Sequence, residues 1–240
     1  MYVACDASQL EWRGALELSK EWVGINEIKN KDDVHSLNQV AFNLPSRLIS
    51  KIYLFRTIFR GSGWGFANDP DFMHVSDSPE YWDEVGTKFY KKYHNLDKQH
   101  QVWKDLVISG QPIVGPLGRE WKIVFDGLKI PWTVFTNYPV QGTCADIMVL
   151  VRVIFRKRLR KESWGDKIKL VTSVHDSVVV DCPTEYVDKV VRLFYDVFAA
   201  LIPNIKTIWG YDWETPLECE CKIGVNMKDM KKIVPIDKTS

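Results

Sequence analysis

The sequence predicts an α+β fold. Three observations predict it: runs of β-forming residues stand near both ends, at 2–13, 167–181 and 217–225; helical patterns fill most of the chain between them; and Gly, Pro and Asn clusters punctuate the boundaries. At 240 residues, with 45% apolar and 26% charged content, the chain can bury one good core or two small ones, and disorder is not its default.

Residues 2–13 are rich in β-formers and short enough for a buried strand running into a turn or helix. Leu16, Leu18, Trp22, Val23 and Ile25 give an apolar stripe of mixed period, and Asn26–Asp33 reads as a polar loop. From His35 the chain reads helical, with Leu37, Val40, Ala41 and Leu44 at helix spacing, until Pro45 opens a second helix running to Gly61. In that helix Leu48, Ile49, Ile52 and Ile58 form the expected packing face. Arg47, Lys51, Phe55 and Phe59 recur every four residues on a stripe that drifts ~40° per step and can line one wall of a cleft. Residues 61–79 have the Gly, Asp and Pro content of a loop, and no Gly-Lys-Ser/Thr follows their glycines, so they do not form a phosphate loop. Residues 80–109 return to helix, 111–131 read as a hairpin with Gly115–Gly118 at its tip, and a helix follows Pro139 over 141–161. That helix ends in Arg152, Arg156, Lys157, Arg158, Arg160 and Lys161, either a solvated helix end or a DNA contact. A strand, turn and strand surround His175-Asp176, residues 184–202 make an amphipathic helix, and the strand at 217–225 carries Glu218, Glu220 and Lys222 on one side.

Net charge is +1, so any nucleic-acid surface has to be local, and no segment approaches the ~18 apolar residues of a bilayer span. Neither a signal peptide nor a Cys-x-x-Cys pair is present, which gives the expectation of a cytoplasmic protein, with no membrane partner, whose five cysteines are reduced and mostly buried.

The chemistry concentrates in Asp6, Asp176 and the Arg47–Lys51–Phe55 helix. A lone Asp in a strand is more often a turn former or an ion-pair member. Two in matching apolar contexts instead suggest metal ligands, since burying two carboxylates side by side costs several kcal/mol unless a cation offsets their repulsion. Mg²⁺ suits such hard oxygens.

Those blocks resemble family A DNA polymerases, the DNA polymerase I type and especially its phage replicative members. Asp6-Ala-Ser-Gln-Leu-Glu-Trp-Arg13 is similar to the family's motif A, Arg47-x3-Lys51-x3-Phe55-x3-Phe59 to motif B, and Val174-His-Asp176-Ser to motif C. Asn137-Tyr-Pro-Val-Gln141 resembles the opening of the long palm helix. The resemblance implies an antiparallel palm sheet with helices, built from residues 1–30 and 133–240, and a mostly helical fingers subdomain at 31–132. It further implies two Mg²⁺ ions on Asp6 and Asp176; dNTP contacts from His35, Arg47, Lys51 and Phe55; Glu11 as the steric gate against a ribose 2′-OH; and primer–template contacts from Phe59, Arg13, Asn137, Gln141 and His175. Several have a plainer alternative: a cationic helix face for Arg47 and Lys51, a core aromatic for Phe55, an exposed strand-end acid for Glu11, a helix cap for Asn137, a surface ion pair for Arg13 and a core histidine for His175.

Four positions depart from the family pattern. Ser177 stands where Glu usually follows the motif C aspartate, Arg56 and Arg60 replace residues that are commonly glycine, and Phe59 replaces the usual Tyr. In the family, thumb elements and often a 3′ to 5′ exonuclease precede motif A, whereas Met1 stands five residues before Asp6, so the expectation is either a split subunit whose partner polypeptide supplies them or a truncated or processed fragment. The expected activity is DNA-directed DNA synthesis from dNTPs on primer–template DNA in phage-type replication. Its rivals are a non-catalytic DNA-binding or assembly subunit that keeps the fold, and a metal-dependent nuclease.

Overall fold

The computed structural model describes residues 1–124 and 126–235. The chain divides into two compact units, one built on a sheet (Met1–Leu10, Cys144–Trp213 and the chain from Leu217 on) and one largely helical (Glu11–Thr143 with Glu214–Pro216). These divisions fall at 10/11 and 143/144, where the sequence led us to expect 30/31 and 132/133; residues 236–240 of the expected last segment lie outside the described residues.

The chain opens with β1 (Tyr2–Ala7), the central strand of the sheet. Gln9 then takes a left-handed φ of 50° and the chain turns directly into α1 (Leu10–Ser19). Glu11 and Arg13 are therefore helical, correcting the strand reading of residues 8–13.

In the helical unit α2 (Trp22–Lys29) is capped by Glu21, whose carboxylate accepts from the Val23 N–H, and it absorbs half of the loop expected at 26–33. Asp33 caps α3 (Val34–Phe42) and Ser46 caps α4 (Arg47–Thr57), the Ser46 hydroxyl accepting from the Ile49 N–H at 3.1 Å. The fourth helix is shorter than expected at both ends. Pro45 lies before the cap, and beyond Thr57 the Gly61 N–H closes on the Arg56 carbonyl while Arg60 takes a φ of 61°, so Phe59 sits past the helix end. Ile49, Tyr53, Leu54 and Ile58 are buried, but Leu48, expected in the packing face, is 64% exposed.

Next come α5 (Gly63–Ala67), inside the expected loop, then α6 (Pro79–Lys92) and α7 (His94–Ile108), which split the single helix expected at 80–109. They gather an aromatic core: Tyr53 stacks on Trp82 at 5.7 Å, and Phe66 meets Phe72 edge-on at 5.0 Å. Such pairs contribute ~0.5–1.5 kcal/mol each beyond their buried area. The expected hairpin is present as β2 (Ile113–Val114) and β3 (Glu120–Trp121). The long helix α8 (Trp132–Leu159) begins before Pro139 rather than after it. Proline removes one backbone N–H from the helix, and burial of Phe135, Pro139 and Val140 holds the turn regardless. By length and composition α8 could cross a bilayer, contrary to the sequence reading; 56% of its most apolar window is buried inside the protein, as in a core helix.

In the sheet unit β4 (Lys169–Val174) and β5 (Ser177–Asp181) form the expected hairpin. The helix α9 (Val187–Ala199) follows, then α10 (Leu201–Trp209), which the sequence reading missed, then β6 (Cys219–Gly224) and the short β7 (Lys231–Ile233). All pairings are antiparallel, in the order β4-β5-β1-β6-β7. Alternation sends Val3, Cys5 and Ala7 to one face with Val178, Val180, Cys219 and Cys221, where α9 packs on β1 and β6. Phe155 of α8 stacks on Phe194 of α9 at 4.3 Å, closing this core. All five cysteines are buried thiols, and burial together with neighbouring sulfurs pushes the Cys5 thiol well above its ordinary range.

Candidate active site

Asp6, the last residue but one of β1, lies on the face opposite the packed one. Its strand partners set what surrounds it: Ser177 lies directly across on β5 and Glu220 directly across on β6. The Ala7 N–H donates to the Asp176 carbonyl at 2.9 Å, tying the end of β1 to the hairpin turn, where His175 adopts a φ of 51°. The structure thus brings Asp6, His175 and Asp176 together. It does not bury the two carboxylates as the sequence reading assumed, since Asp6 is half-buried and Asp176 exposed.

Lys222, two residues beyond Glu220, places Nζ 2.8 Å from Asp6 Oδ2, and Lys232 pairs with Glu220 at 2.7 Å. The Asp6 hydrogen bond and charge raise the Lys222 pKa, with Glu220 and Asp176 adding to the effect. Sequence reasoning had Glu220 and Lys222 on one side of a strand, but not beside Asp6, because alternation gives a face and not a register. The charged donors here are carboxylate oxygens, and Asp6 already holds a cation against one of them. That chemistry fits a hard divalent ion such as Mg²⁺.

In the helical unit a second constellation forms where α3 meets α4. Arg47 grips Asp33 with Nε at 2.6 Å and an Nη at 3.1 Å, which holds the Asp33 carboxyl well below the usual carboxylate range. Asp33 also accepts from the His35 N–H at 3.2 Å. The His35 ring is buried and lies 6.2 Å from the Phe55 ring. Burial, then the Arg47 charge, pulls the His35 pKa down to about 4, so this imidazole is neutral at pH 7. Lys51 is exposed one turn along α4, leaving the outer face of that helix cationic. Phe55 and Phe59 are half-buried.

The two unusual arginines are structural. Arg56 pairs with Asp69 and lies over the Phe72 ring at 5.1 Å. Arg60 bonds Asp97 and His100 Nδ1 and stacks on Tyr90 at 4.0 Å and Trp132 at 4.8 Å. Elsewhere in this unit the Gln141 amide donates to Glu11 at 3.0 Å, joining two expected site residues 130 positions apart. Asn137 lies one turn before Gln141 on α8 and is half-buried within the helix, which removes the capping alternative. Arg13 is 5% exposed and donates to the Pro216 carbonyl at 2.5 Å, so its side chain is not open to DNA as it stands.

A family model described as DNA polymerase family A matches residues 1–229. The chain is 35% identical to the thermostable DNA polymerase I of Thermus aquaticus over 246 residues, a match covering 97% of this chain and 27% of that protein. It is 29% identical to DNA polymerase I of Aquifex aeolicus over 201 residues, covering 79% of this chain and 33% of that protein. The chain therefore spans a third or less of either relative. Among solved structures, the POL domain of Pol1 from M. smegmatis, in complex with DNA primer-template and dNTP, shares the fold with a TM-score of 0.76 at 18% identity, over 93% of this chain and 39% of that one. With the family match running from β1 through β6, the chain belongs to DNA polymerase family A.

Proposed function

We propose that the chain is the palm and fingers portion of a DNA-directed DNA polymerase, the sheet unit acting as palm and the helical unit as fingers. The observation that carries this reading is the pairing of Asp6 with Ser177, beside Asp176, on the open face of an antiparallel sheet. In the reaction, the primer 3′-oxygen attacks the α-phosphorus of a dNTP, the bond to the β-phosphate oxygen breaks, and pyrophosphate leaves.

Asp6 and Asp176 would hold two Mg²⁺ ions, which when bound stabilise the attacking and leaving oxygens. Glu220, directly across from Asp6, adds a carboxylate on the β6 side where Ser177 adds none on the β5 side. Lys222, now paired with Asp6, would neutralise part of the site's carboxylate charge. Arg47 and Lys51 bind the β- and γ-phosphates, and such fixed cations preorganise the charge environment of the departing pyrophosphate. His35, neutral at pH 7, offers a hydrogen bond to a phosphate without adding charge. Phe55 packs beneath the incoming sugar, and Glu11, fixed by Gln141, occupies the space of a 2′-OH. Phe59, Asn137, Gln141 and His175 contact primer–template DNA, whereas Arg13 reaches it only if its buried carbonyl contact opens. In this reading the thumb and an exonuclease come from a separate polypeptide or from the rest of a longer chain of which these residues are a part, and the setting is phage-type replication in the cytoplasm.

Primer extension on a defined template with Mg²⁺ and dNTPs tests the reading, using the chain alone and with a candidate thumb chain. We expect extension that falls ~10²–10³-fold in Asp176→Asn, by analogy with removal of a major electrostatic contact. Folded protein that binds DNA without extending under either condition would favour the non-catalytic subunit, and dNTP-independent cleavage would favour the nuclease.

A further inference from the structure

On the face of the sheet opposite Asp6, three of the chain's five cysteines meet. Cys5 of β1 lies directly across from Cys221 of β6, and Cys219 lies across from Ala7, two residues along on the same face. Cys5 and Cys221 are wholly buried and Cys219 is 7% exposed. Their three sulfurs lie within 4.8 Å of one another. Any three points so spaced share a centre no more than about 2.8 Å from each, and a thiolate binds zinc at about 2.3 Å, so about 0.5 Å of movement per sulfur closes the set on one ion. Rotation about a single χ1 in each cysteine supplies that.

We propose that Cys5, Cys219 and Cys221 form a binding site for a soft, thiophilic cation of the Cu(I) or Zn²⁺ class. The donor set makes the choice of class: buried sulfurs against an apolar helix face suit soft cations, whereas Mg²⁺ requires oxygens and retains its waters. Three sulfurs alone satisfy Cu(I). Zn²⁺ normally takes four ligands and would need a fourth besides the three sulfurs. An ion here would staple β1 to β6, the two strands that carry Asp6, Glu220 and Lys222 on their other face. This site is independent of the polymerase reading and stands or falls separately from it.

The test uses the full chain, reduced and handled anaerobically, titrated in parallel with Cu(I) and with Zn²⁺. Sulfur-to-metal charge-transfer absorption and the metal retained after desalting are read together. We expect a saturable charge-transfer band and one retained ion per chain with at least one of the two cations, both lost in the Cys219→Ala, Cys221→Ala double variant and both kept in the Cys144→Ala, Cys182→Ala double variant. A band with Cu(I) alone identifies a three-coordinate site, and one with Zn²⁺ identifies recruitment of a fourth ligand. The wild-type arm decides the matter even if a variant misfolds. Zinc retained with no charge-transfer band would be carboxylate binding, and that result, or no retained ion at all, would overturn the proposal.

Discussion

His35 gives the helical unit a pH signature. Its imidazole titrates near 6.5 in an unfolded chain and near 4 in the folded one, because burial and the Arg47 and Lys51 charges disfavour the proton more than Asp33 favours it. Between those values the unfolded state takes up a proton that the native state refuses. Stability is therefore full above pH 6.5 and falls as the pH drops toward 4, by roughly 2–3 kcal/mol from this residue. Urea denaturation of wild type and His35→Gln at pH 7.5 and pH 5 should show the wild type losing more stability across the interval; parallel losses would mean that the ring is not held neutral. Asp33 and Arg47 reinforce the local geometry but are half-exposed, and ion pairs of that kind contribute ~0–1 kcal/mol.

At the end of α4, Arg60 occupies left-handed backbone, costly for any residue with a Cβ, and its guanidinium repays the strain through Asp97, His100, Tyr90 and Trp132. Arg60→Ala loses those contacts and keeps the strain, so it should destabilise by about 2–3 kcal/mol, while Arg60→Gly should recover about 1 kcal/mol of that. Equal stabilities for the two variants, measured by thermal or denaturant unfolding, would show that the backbone there is unstrained. The same helix shows what could be read from sequence. The spacing of Arg47, Lys51 and Phe55 was legible because a helix repeats visibly, and so was the hairpin around Asp176. The helix end was not legible, because Arg60 does with side-chain contacts what a glycine does with freedom. Leu48 was misread for a related reason: one face of α4 packs while Leu48 points away, and hydrophobicity alone does not say which side a neighbour covers. Lys222 beside Asp6 escaped notice because strand register depends on partners more than 200 residues away in sequence.

Across the whole molecule, chain order and spatial order disagree. The sheet unit is assembled from three separate stretches, with the helical unit inserted between the first and second. Helices form from local contacts, whereas β1 pairs only with strands near the other end of the chain, and long-range pairing is slow. Pulsed hydrogen exchange during refolding should show amides of α3, α4, α6 and α7 protected before those of β1; simultaneous protection would argue for a single concerted step. The central place of β1 also has a meaning for biosynthesis. A ribosome adding ~5–20 residues per second needs roughly 10–40 s to travel the 216 positions from Asp6 to Lys222. For most of that time β1 has neither native neighbour, and for all of it none on its β6 side, and the newborn chain depends on chaperones, or on its own transient clustering, to keep that strand from pairing elsewhere.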